Sequence, residues 1–451
     1  MIFLLIITLS IFKSYDIRGV FNKELLPEQI LKIGQCFSDY IKQKACIARD
    51  VRTSSELIKN AFIAGFVSGG QDIIDLGILP TPVSNYYGFN HKIENITITG
   101  SHTDPKCNGI KFYDKLGISY NNRLKRIEKK FQENDFKRSN WDELGKINID
   151  KQAVKEYQEN IINNISLEKP LKIVLDHGNG TSSIATKVLE KIGCKIIDIS
   201  KEPNGHFPNR SPEPKKDNLN FLAKRVKETR ADFGCAFDGD ADRSVFVDDM
   251  GRIIDGSTMS CFFAKELLKQ KRHACIVASV DMSSALKTIV EENEGNLIWC
   301  PVGMTKIEHI LIDNKGLFAG EVSGHFYFND FYPFSDGILS CAKLAQALSK
   351  TEKKLSSLID ELPQYPILHK KYNYATHEEK FEKFEKIKQE LEKKYKPDYL
   401  DGVKIFLNKT DWILMRPSNT EPAIRITIEC SNEENLKKNE IYFDKYITNL
   451  M

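Results

Sequence analysis

Short apolar runs alternate with amphipathic segments along most of this 451-residue chain, and this alternation limits the folds open to it. Ala45–Arg49, Phe233–Phe237 and Cys275–Ser279 have the length of buried strands, whereas Glu56–Gly69 has helical periodicity. Strands that alternate with helices indicate α/β units with largely parallel sheets. The chain is also too long for one hydrophobic core, since single cores rarely exceed about 250–300 residues.

The alternation falls into three units, each of which includes a polar loop rich in Gly, Ser, Asp or His. Past about Leu368 it gives way to a Lys/Glu-rich helix, three strands and a last helix, which indicate a smaller α+β domain. We therefore expect three related α/β domains with mixed, largely parallel sheets plus a smaller C-terminal α+β domain, around a central cleft. The predicted domain bounds are 1–150, 151–255, 256–368 and 369–451.

Composition argues against several classes of protein. The 65 basic and 62 acidic residues leave a net charge of +3, which is too balanced to indicate a nucleic-acid partner. The 10 cysteines form no C-x-x-C pair, which favours free thiols in a reducing cytosol over disulfides or zinc. Met1–Phe12 is apolar but too short to span a bilayer, and it lacks the basic segment and cleavage site of a signal peptide. We expect a cytoplasmic monomer or homodimer without a membrane partner, its N-terminus being a buried strand or an extension ahead of the real start.

One loop has the pattern of a cation site. In Asp238–Arg243, three carboxylates at alternate positions can converge on one hard cation, because Gly239 permits a tight turn. Oxygen ligands of this kind suit Mg²⁺, and the arginine adds a cation that matches phosphate. An EF-hand is disfavoured, since Arg243 and Asp249 stand where that loop needs Gly and Glu. A solvated acidic turn is the alternative that this motif alone leaves open.

Three further polar loops follow predicted strands. Ser101, with His102 and Lys111 close in sequence, suits a nucleophile or phosphate carrier, but there is no G-x-S-x-G elbow of a hydrolase. The stretch 321–325, Glu-Val-Ser-Gly-His, can bridge vicinal sugar hydroxyls. The stretch 416–422 with Arg425 offers hydroxyls, an amide and two guanidiniums for a phosphate. Each loop taken alone is also compatible with an ordinary turn.

Together, the loops at 99–111, 238–243, 320–325 and 416–425 resemble, in order, the four signatures of the α-D-phosphohexomutase superfamily. This superfamily comprises phosphoglucomutases, phosphomannomutases and phosphoglucosamine mutases. Further matches are Tyr15–Gly19, Arg49–Arg52, Leu79–Pro82 and Pro203–Pro208, so the resemblance covers nearly the whole chain. It implies an intramolecular phosphotransferase that moves a phosphoryl group between the 1- and 6-positions of a hexose.

The resemblance also implies roles for individual residues. Ser101 would carry the phosphoryl group and would bind Mg²⁺ together with Asp238, Asp240 and Asp242. The other catalytic candidates are Arg18, His102, Lys111 and Arg243, of which Lys111 or His102 is the better proton carrier because arginine is a poor base at neutral pH. The implied substrate-binding residues are Tyr15, Lys306, Glu321, Ser323, His325, Arg416, Ser418, Asn419, Thr420 and Arg425. A hexose 1,6-bisphosphate would be both the intermediate and the activator.

The chain departs from the family pattern in three places. First, Thr103-Asp104 replaces the usual Asn-Pro after Ser-His. Second, Glu308 stands where many mannose/glucose mutases have a lysine, while Lys306 lies two residues earlier. Third, the stretch before Ile11 has no counterpart in the family. Val322 is apolar, as in mannose/glucose enzymes, so we expect mannose phosphates first and glucose phosphates second. The alternatives are a phosphoglucosamine mutase or phosphoglucomutase and, from other classes, a sugar-phosphate phosphatase or a non-catalytic sugar-phosphate-binding protein.

Overall fold

The computed structural model describes residues 11–408, 410–418 and 422–448. The apolar stretch Met1–Ser10 and two predicted phosphate-loop residues, Asn419 and Thr420, lie outside them. The described chain divides into two units. The first comprises the chain up to Gly256 together with Ser323–Leu358, and the second comprises Ser257–Val322 and the chain from Ile359 onward.

The first sheet has six strands in the order β1-β5-β4-β2-β3-β6. Strand β5 is antiparallel to both of its neighbours, and the other pairs are parallel. Buried aromatic rings such as Phe37, Phe62 and Phe112 pack between the helices and the sheet. In chain order the elements are β1 Asp16–Val20, α1 Pro27–Ile41, β2 Ala45–Arg49, α2 Ser55–Ser68, β3 Ile73–Ile78, α3 Thr81–His91, β4 Glu94–Ile98, β5 Cys107–Tyr113, α4 Asn122–Glu133 and β6 Ile147–Ile149.

The second sheet also belongs to the first unit and has the order β11-β10-β9-β7-β8. Strands β7, β8 and β9 are parallel, whereas β10 returns antiparallel to β9 and pairs with β11. The return from β9 to β10 places the loop of three aspartates at the carboxyl end of β9. The elements are α5 Ala153–Asn164, β7 Lys172–Asp176, α6 Ile184–Lys191, β8 Lys195–Ile199, a 3₁₀ turn Lys216–Asn218, α7 Asn220–Thr229, β9 Phe233–Phe237, β10 Ser244–Asp248 and β11 Ile253–Ile254.

The second unit contains a third α/β segment in which β12 is parallel to both β13 and β14. Its elements are α8 Gly256–Gln270, β12 Cys275–Ser279, α9 Ala285–Glu292, β13 Asn296–Cys300, α10 Met304–Asp313 and β14 Phe318–Gly320. The chain then forms β15 Phe326–Phe328, α11 Gly337–Ser349 and α12 Leu355–Asp360.

The C-terminal part of the second unit is an antiparallel sheet in the order β16-β19-β18-β17. The elements are β16 Ile367–Asn373, α13 His377–Glu392, β17 Val403–Phe406, β18 Trp412–Pro417, β19 Ala423–Glu429 and α14 Glu433–Thr448. Alternate residues of these strands, such as Ile413, Met415, Ile426 and Ile428, form the core with helix residues. The architecture confirms the predicted fold class of three α/β domains with a smaller C-terminal α+β domain.

Some predicted loop positions are wrong, since 416–417 and 423–425 of the phosphate loop belong to β18 and β19. The serine loop was expected to run from 99 to 111, but its second half forms β5, which begins at Cys107. Asn108-Gly109 has the residue types of a turn, yet Gly109 is required for another reason. A Cβ at Gly109 would lie 2.3 Å from the carbonyl oxygen of Ile17, so glycine permits the close approach of β1 to β5.

Candidate phosphoryl-transfer site

The turn between β9 and β10 gathers the three predicted metal ligands. Asp238, Asp240 and Asp242 are buried, and one ligand atom from each lies within 4.8 Å of the others. The turn is tight because Ala241 takes a φ of 61°. Gly239 is needed within it, since a Cβ there would lie 2.6 Å from the carbonyl oxygen of Ser101.

The donor set of this turn fits Mg²⁺. Asp240 Oδ1 is buried and has no hydrogen-bond partner among the described residues. Burial and the charges of Asp242 and Asp240 raise the pKa of Asp238 well above its ordinary value. Three buried carboxylates this close together need positive charge, and oxygen-only ligands favour a hard divalent cation.

Ser101 lies directly beside the three aspartates. Its hydroxyl donates to Asp238 Oδ2 at 3.0 Å, and its Oγ lies 3.2 Å from Nδ1 of His102. The serine is buried and has a φ of 50°, a left-handed conformation that a non-glycine residue adopts only at a cost of about 1–2 kcal/mol. The structure thus brings the predicted phosphate carrier and the predicted cation ligands to one place.

Lys111 partly neutralises the carboxylates. Its Nζ lies 2.9 Å from Asp240 Oδ2 and 2.7 Å from Asp242 Oδ2. Burial alone would lower the pKa of Lys111, but Asp240 and Asp242 raise it well above the usual lysine range. Lys111 therefore faces Asp240 and Asp242 as an ammonium ion.

Two arginines predicted for the site also lie in the first unit. The backbone N–H of Arg243 donates to Asp238 Oδ1 at 3.2 Å, while Arg18 on β1 donates from Nη2 to Asp16 Oδ2 at 2.7 Å. The charge of Arg243, burial and the charge of Arg18 together lower the pKa of His102 well below its ordinary value. His102 is therefore a neutral imidazole next to Ser101.

The end of the predicted sugar loop is held by the same arginine. Arg243 Nε donates to His325 Nε2 at 3.2 Å. Nε2 of His325 also lies 3.4 Å from Asp242 Oδ1, and its Nδ1 lies 2.9 Å from Ser323 Oγ. Gly324 between them has a φ of 87°, and a Cβ there would lie 2.6 Å from the carbonyl oxygen of Ser244.

An arginine to which the sequence assigned no role fixes the serine loop. Arg52 is 1% exposed, and its guanidinium uses all five N–H donors. Nε donates to Asp50 Oδ2 at 3.1 Å. The two Nη atoms donate at 2.6–3.0 Å to the carbonyl oxygens of Ser101, Thr103, Asp104 and Cys107.

Asp50 continues this network to Ser101 itself. It accepts from Thr99 Oγ1 at 2.9 Å and from the N–H of Gly100 at 3.1 Å. Thr99 Oγ1 in turn accepts from the N–H of Ser101 at 2.8 Å. The signal was present in the motif Arg49–Arg52, but the sequence does not show that a charged pair after a strand is buried.

A second arginine, also missed, supports the aspartate turn. Arg210 donates from Nε to Asp176 Oδ2 at 2.8 Å and from Nη2 to the carbonyl oxygen of Phe237 at 2.6 Å. Thr81, within the recognised motif Leu79–Pro82, donates from Oγ1 to Asp240 Oδ2 at 2.6 Å and from its N–H to the carbonyl of Asp240. Both loops of the site are therefore held by buried hydrogen bonds from outside the loops.

The second unit contains most of the remaining predicted residues. Lys306 lies on α10, and Glu321 accepts at Oε1 from the N–H of Gly303 at 3.2 Å. Arg416 and Arg425 are direct partners across β18 and β19, next to Ser418. Tyr15 belongs to the first unit and precedes β1.

Four family models match this chain in order. They describe phosphoglucomutase/phosphomannomutase α/β/α domains I, II and III and the C-terminal domain, at residues 9–138, 155–251, 255–365 and 373–440. A relative from Thermococcus kodakarensis, named phosphoglucomutase/phosphomannomutase, is 36% identical over 95% of this chain and 96% of its own. The chain belongs to the phosphoglucomutase/phosphomannomutase family.

Two further comparisons support membership of this family. A relative from Methanopyrus kandleri, named probable phosphoglucosamine mutase, is 33% identical over 95% of both chains. The crystal structure of a phosphoglucomutase/phosphomannomutase family protein from Burkholderia thailandensis has a TM-score of 0.89 and 28% identity, covering 98% of this chain and 97% of its own. The family is one of mutases, so the chain is an intramolecular phosphotransferase of the α-D-phosphohexomutase superfamily. Within the described residues, no helix has both the length and the apolar character needed to cross a membrane.

Proposed function

We propose that this family member interconverts the 1- and 6-phosphates of a hexose, with mannose preferred and glucose second, through phospho-Ser101. The observation that carries the proposal is the position of Ser101 Oγ, 3.0 Å from Asp238 within the buried aspartate cluster. The free cysteines, ten of them among the described residues, support a cytoplasmic location for this chemistry.

In the first half-reaction, phospho-Ser101 donates its phosphoryl group to the free hydroxyl of the hexose phosphate. The bond from phosphorus to Ser101 Oγ breaks, a bond to the sugar oxygen forms, and the proton of the sugar hydroxyl is passed on to Ser101 Oγ. The product is a hexose 1,6-bisphosphate, which returns its other phosphoryl group to Ser101 after reorienting. His102 Nδ1, at 3.2 Å from Ser101 Oγ, is placed to exchange a proton with that oxygen, and Lys111 is the second candidate.

Charge compensation is the main contribution that the site makes to this transfer. Bound Mg²⁺ would neutralise charge on the phosphoryl oxygens, and the residues that fit it are Asp238, Asp240, Asp242 and the phosphate of Ser101. Arg18, Lys111 and Arg243 supply fixed positive charge in the same unit. We assign sugar binding to Tyr15, Lys306, Glu321, Ser323 and His325, and phosphate binding to Arg416, Ser418, Asn419, Thr420 and Arg425.

The preferred hexose is inferred from one residue of the sugar loop and from the names of two relatives. Val322 is apolar and favours mannose or glucose, and the relative from Thermococcus kodakarensis carries the name phosphoglucomutase/phosphomannomutase. A phosphoglucosamine mutase is the second candidate, because the relative from Methanopyrus kandleri carries that name at similar identity. Activation by a trace of hexose 1,6-bisphosphate is expected for either sugar, since the bisphosphate phosphorylates Ser101.

The test is a comparison of kcat/KM for mannose, glucose and glucosamine 1-phosphates with Mg²⁺ and a trace of the matching bisphosphate. We expect mannose to rank first, Ser101→Ala to be inactive, and Ser211→Ala, at an exposed serine, to keep the wild-type rate. Glucosamine ranking first would establish the second candidate instead. Release of inorganic phosphate without isomerisation would indicate a phosphatase, and full activity of Ser101→Ala would overturn the mechanism.

A further inference from the structure

Asp401, which lies before β17, contacts two parts of the second unit. One is Arg416 of the phosphate loop, and the other is the turn at Val302, before the helix that carries Lys306. Its Oδ2 accepts from Nη2 of Arg416 at 2.9 Å and from the backbone N–H of Val302 at 2.8 Å. Both side chains of the ion pair are largely buried, at 14% exposed for Arg416 and 19% for Asp401. One carboxylate oxygen therefore joins the phosphate-loop arginine to the turn before α10.

The turn that Asp401 contacts is also joined to the sugar loop. Gly303 follows Val302, and its N–H donates to Glu321 Oε1 at 3.2 Å. Gly303 has a φ of 131°, which favours glycine, and its carbonyl accepts from the N–H of Lys306 at 3.0 Å. Two adjacent N–H groups are thus held by carboxylates from two different loops, just before the helix that carries Lys306.

The chain beside Asp401 is shaped around the same arginine. Gly402 has a φ of 83°, and a Cβ there would lie 2.8 Å from Cγ of Arg416 and 2.3 Å from the carbonyl oxygen of Met415. Only glycine permits this close approach. The ion pair with Asp401 uses one N–H of a guanidinium that has five, which fixes its plane and leaves donors for an anion.

We propose that Asp401 is a positioning residue that holds Arg416 and the Val302–Gly303 turn in one geometry for a phosphorylated sugar. This inference rests on the proposed function, because it concerns how that substrate is bound. Loss of the carboxylate charge would weaken the ion pair that orients the guanidinium, whereas an amide oxygen at the same position can still accept from Val302. Affinity for the sugar phosphate would then fall more than the rate of chemistry.

Other contacts give the second unit its stability without Asp401. Lys404 Nζ donates to the carbonyl oxygen of Val280 at 2.7 Å and lies 3.7 Å from the ring centroid of Trp412. Trp412 Nε1 donates to Glu429 Oε1 at 2.7 Å and to Ser284 Oγ at 2.8 Å. A substitution at Asp401 that keeps its shape should therefore leave the folded state intact.

The test uses Asp401→Asn, which is isosteric and still accepts from Val302. Calorimetry measures the Kd of mannose 6-phosphate in the Ser101→Ala background, and steady-state assays measure KM and kcat with Ser101 intact. We expect Kd and KM to rise roughly tenfold, with kcat changed less than about twofold and the thermal unfolding midpoint unchanged. The matched control is Asp398→Asn, three positions earlier and exposed, which should match the wild type.

A double-mutant comparison identifies the partner through which Asp401 acts. In an Arg416→Ala background, Asp401→Asn should cause no further loss of affinity, since the group it positions is gone. Equal Kd for the wild type and Asp401→Asn, or fully additive losses, would overturn the positioning role alone. Absence of sugar-phosphate binding by the wild type would overturn the proposed function as well, so the two failures are distinguishable.

Discussion

Replacement of Arg52 by lysine tests whether buried hydrogen bonds hold Ser101 in its reactive position. Lysine keeps the positive charge beside Asp50 but has three donors on one atom instead of a planar set of five. It cannot serve four carbonyl oxygens that the guanidinium now contacts at 2.6–3.0 Å. With Asp50 Oδ2 the guanidinium serves five acceptors, so three donors leave at least two acceptors without a partner.

The expected loss in the free energy of unfolding follows from the number of acceptors left without a partner. A buried acceptor without a partner costs about 1–3 kcal/mol, so two of them give a loss of roughly 2–6 kcal/mol in the free energy of unfolding. Ser101 would also lose the support for its φ of 50° and relax away from Asp238. A displacement of about 1 Å at a reacting group can lower the rate about 100-fold.

The assay combines denaturant unfolding with kcat measured well below the unfolding midpoint. Arg49→Lys is the matched control, because Arg49 belongs to the same motif but donates to one backbone carbonyl, that of Asp50, instead of four, and pairs with Glu56, whose side chain is 65% exposed. A pair of that kind contributes only about 0–1 kcal/mol, so this variant should resemble the wild type. An Arg52→Lys protein with wild-type stability and wild-type kcat would refute the argument.

Three further outcomes are expected. Asp240→Asn should lower turnover sharply and abolish the rise in unfolding temperature caused by Mg²⁺, as followed by thermal melts with and without the ion; an undiminished shift would remove the metal assignment. Arg210→Lys should lower stability and kcat together, because it frees the carbonyl of Phe237 at the start of the aspartate turn; unchanged kcat in a destabilised protein would limit Arg210 to a structural role. Burial raises the pKa of Glu94 from 4.5 to about 7. Between these two pH values the folded protein keeps a proton that the unfolded chain has released. The free energy of unfolding therefore falls as the pH rises from 4.5 to about 7. Glu94→Gln should flatten that part of the stability profile, and a profile identical to the wild type would contradict the assignment.

The reactive loops could be predicted from the sequence because each one holds several charged or polar residues close together, a combination that a purely structural turn does not need. Three aspartates at alternate positions, followed by arginine, are costly to bury without a cation. The fold class was predictable from the alternation of strands and helices. Several strands that lie between the loops, such as Phe233–Phe237, have the predicted bounds.

The residues that hold the loops of the site in place could not be predicted in the same way. Arg52 and Arg210 have the appearance of surface charges, and only tertiary packing shows that their donors meet backbone carbonyls. Strand β1 was missed because Asp16 and Arg18 interrupt its apolar pattern, although the two side chains pair with each other. Asp401 and Arg416 are 15 positions apart, and nothing in their spacing indicates an ion pair.

The most direct test of the account is a single-turnover experiment with phosphorylated protein. The protein is phosphorylated with hexose 1,6-bisphosphate, freed of excess reagent and mixed with mannose 6-phosphate and Mg²⁺, and its intact mass and the sugar products are followed together. We predict that an isotopic label carried by the phosphoryl group of Ser101 passes to the sugar, as mannose 1,6-bisphosphate and mannose 1-phosphate, even though Ser101 is phosphorylated again from the bisphosphate, and that Ser101→Ala shows no transfer. Retention of the label on the protein, or its appearance as inorganic phosphate, would contradict the central claim.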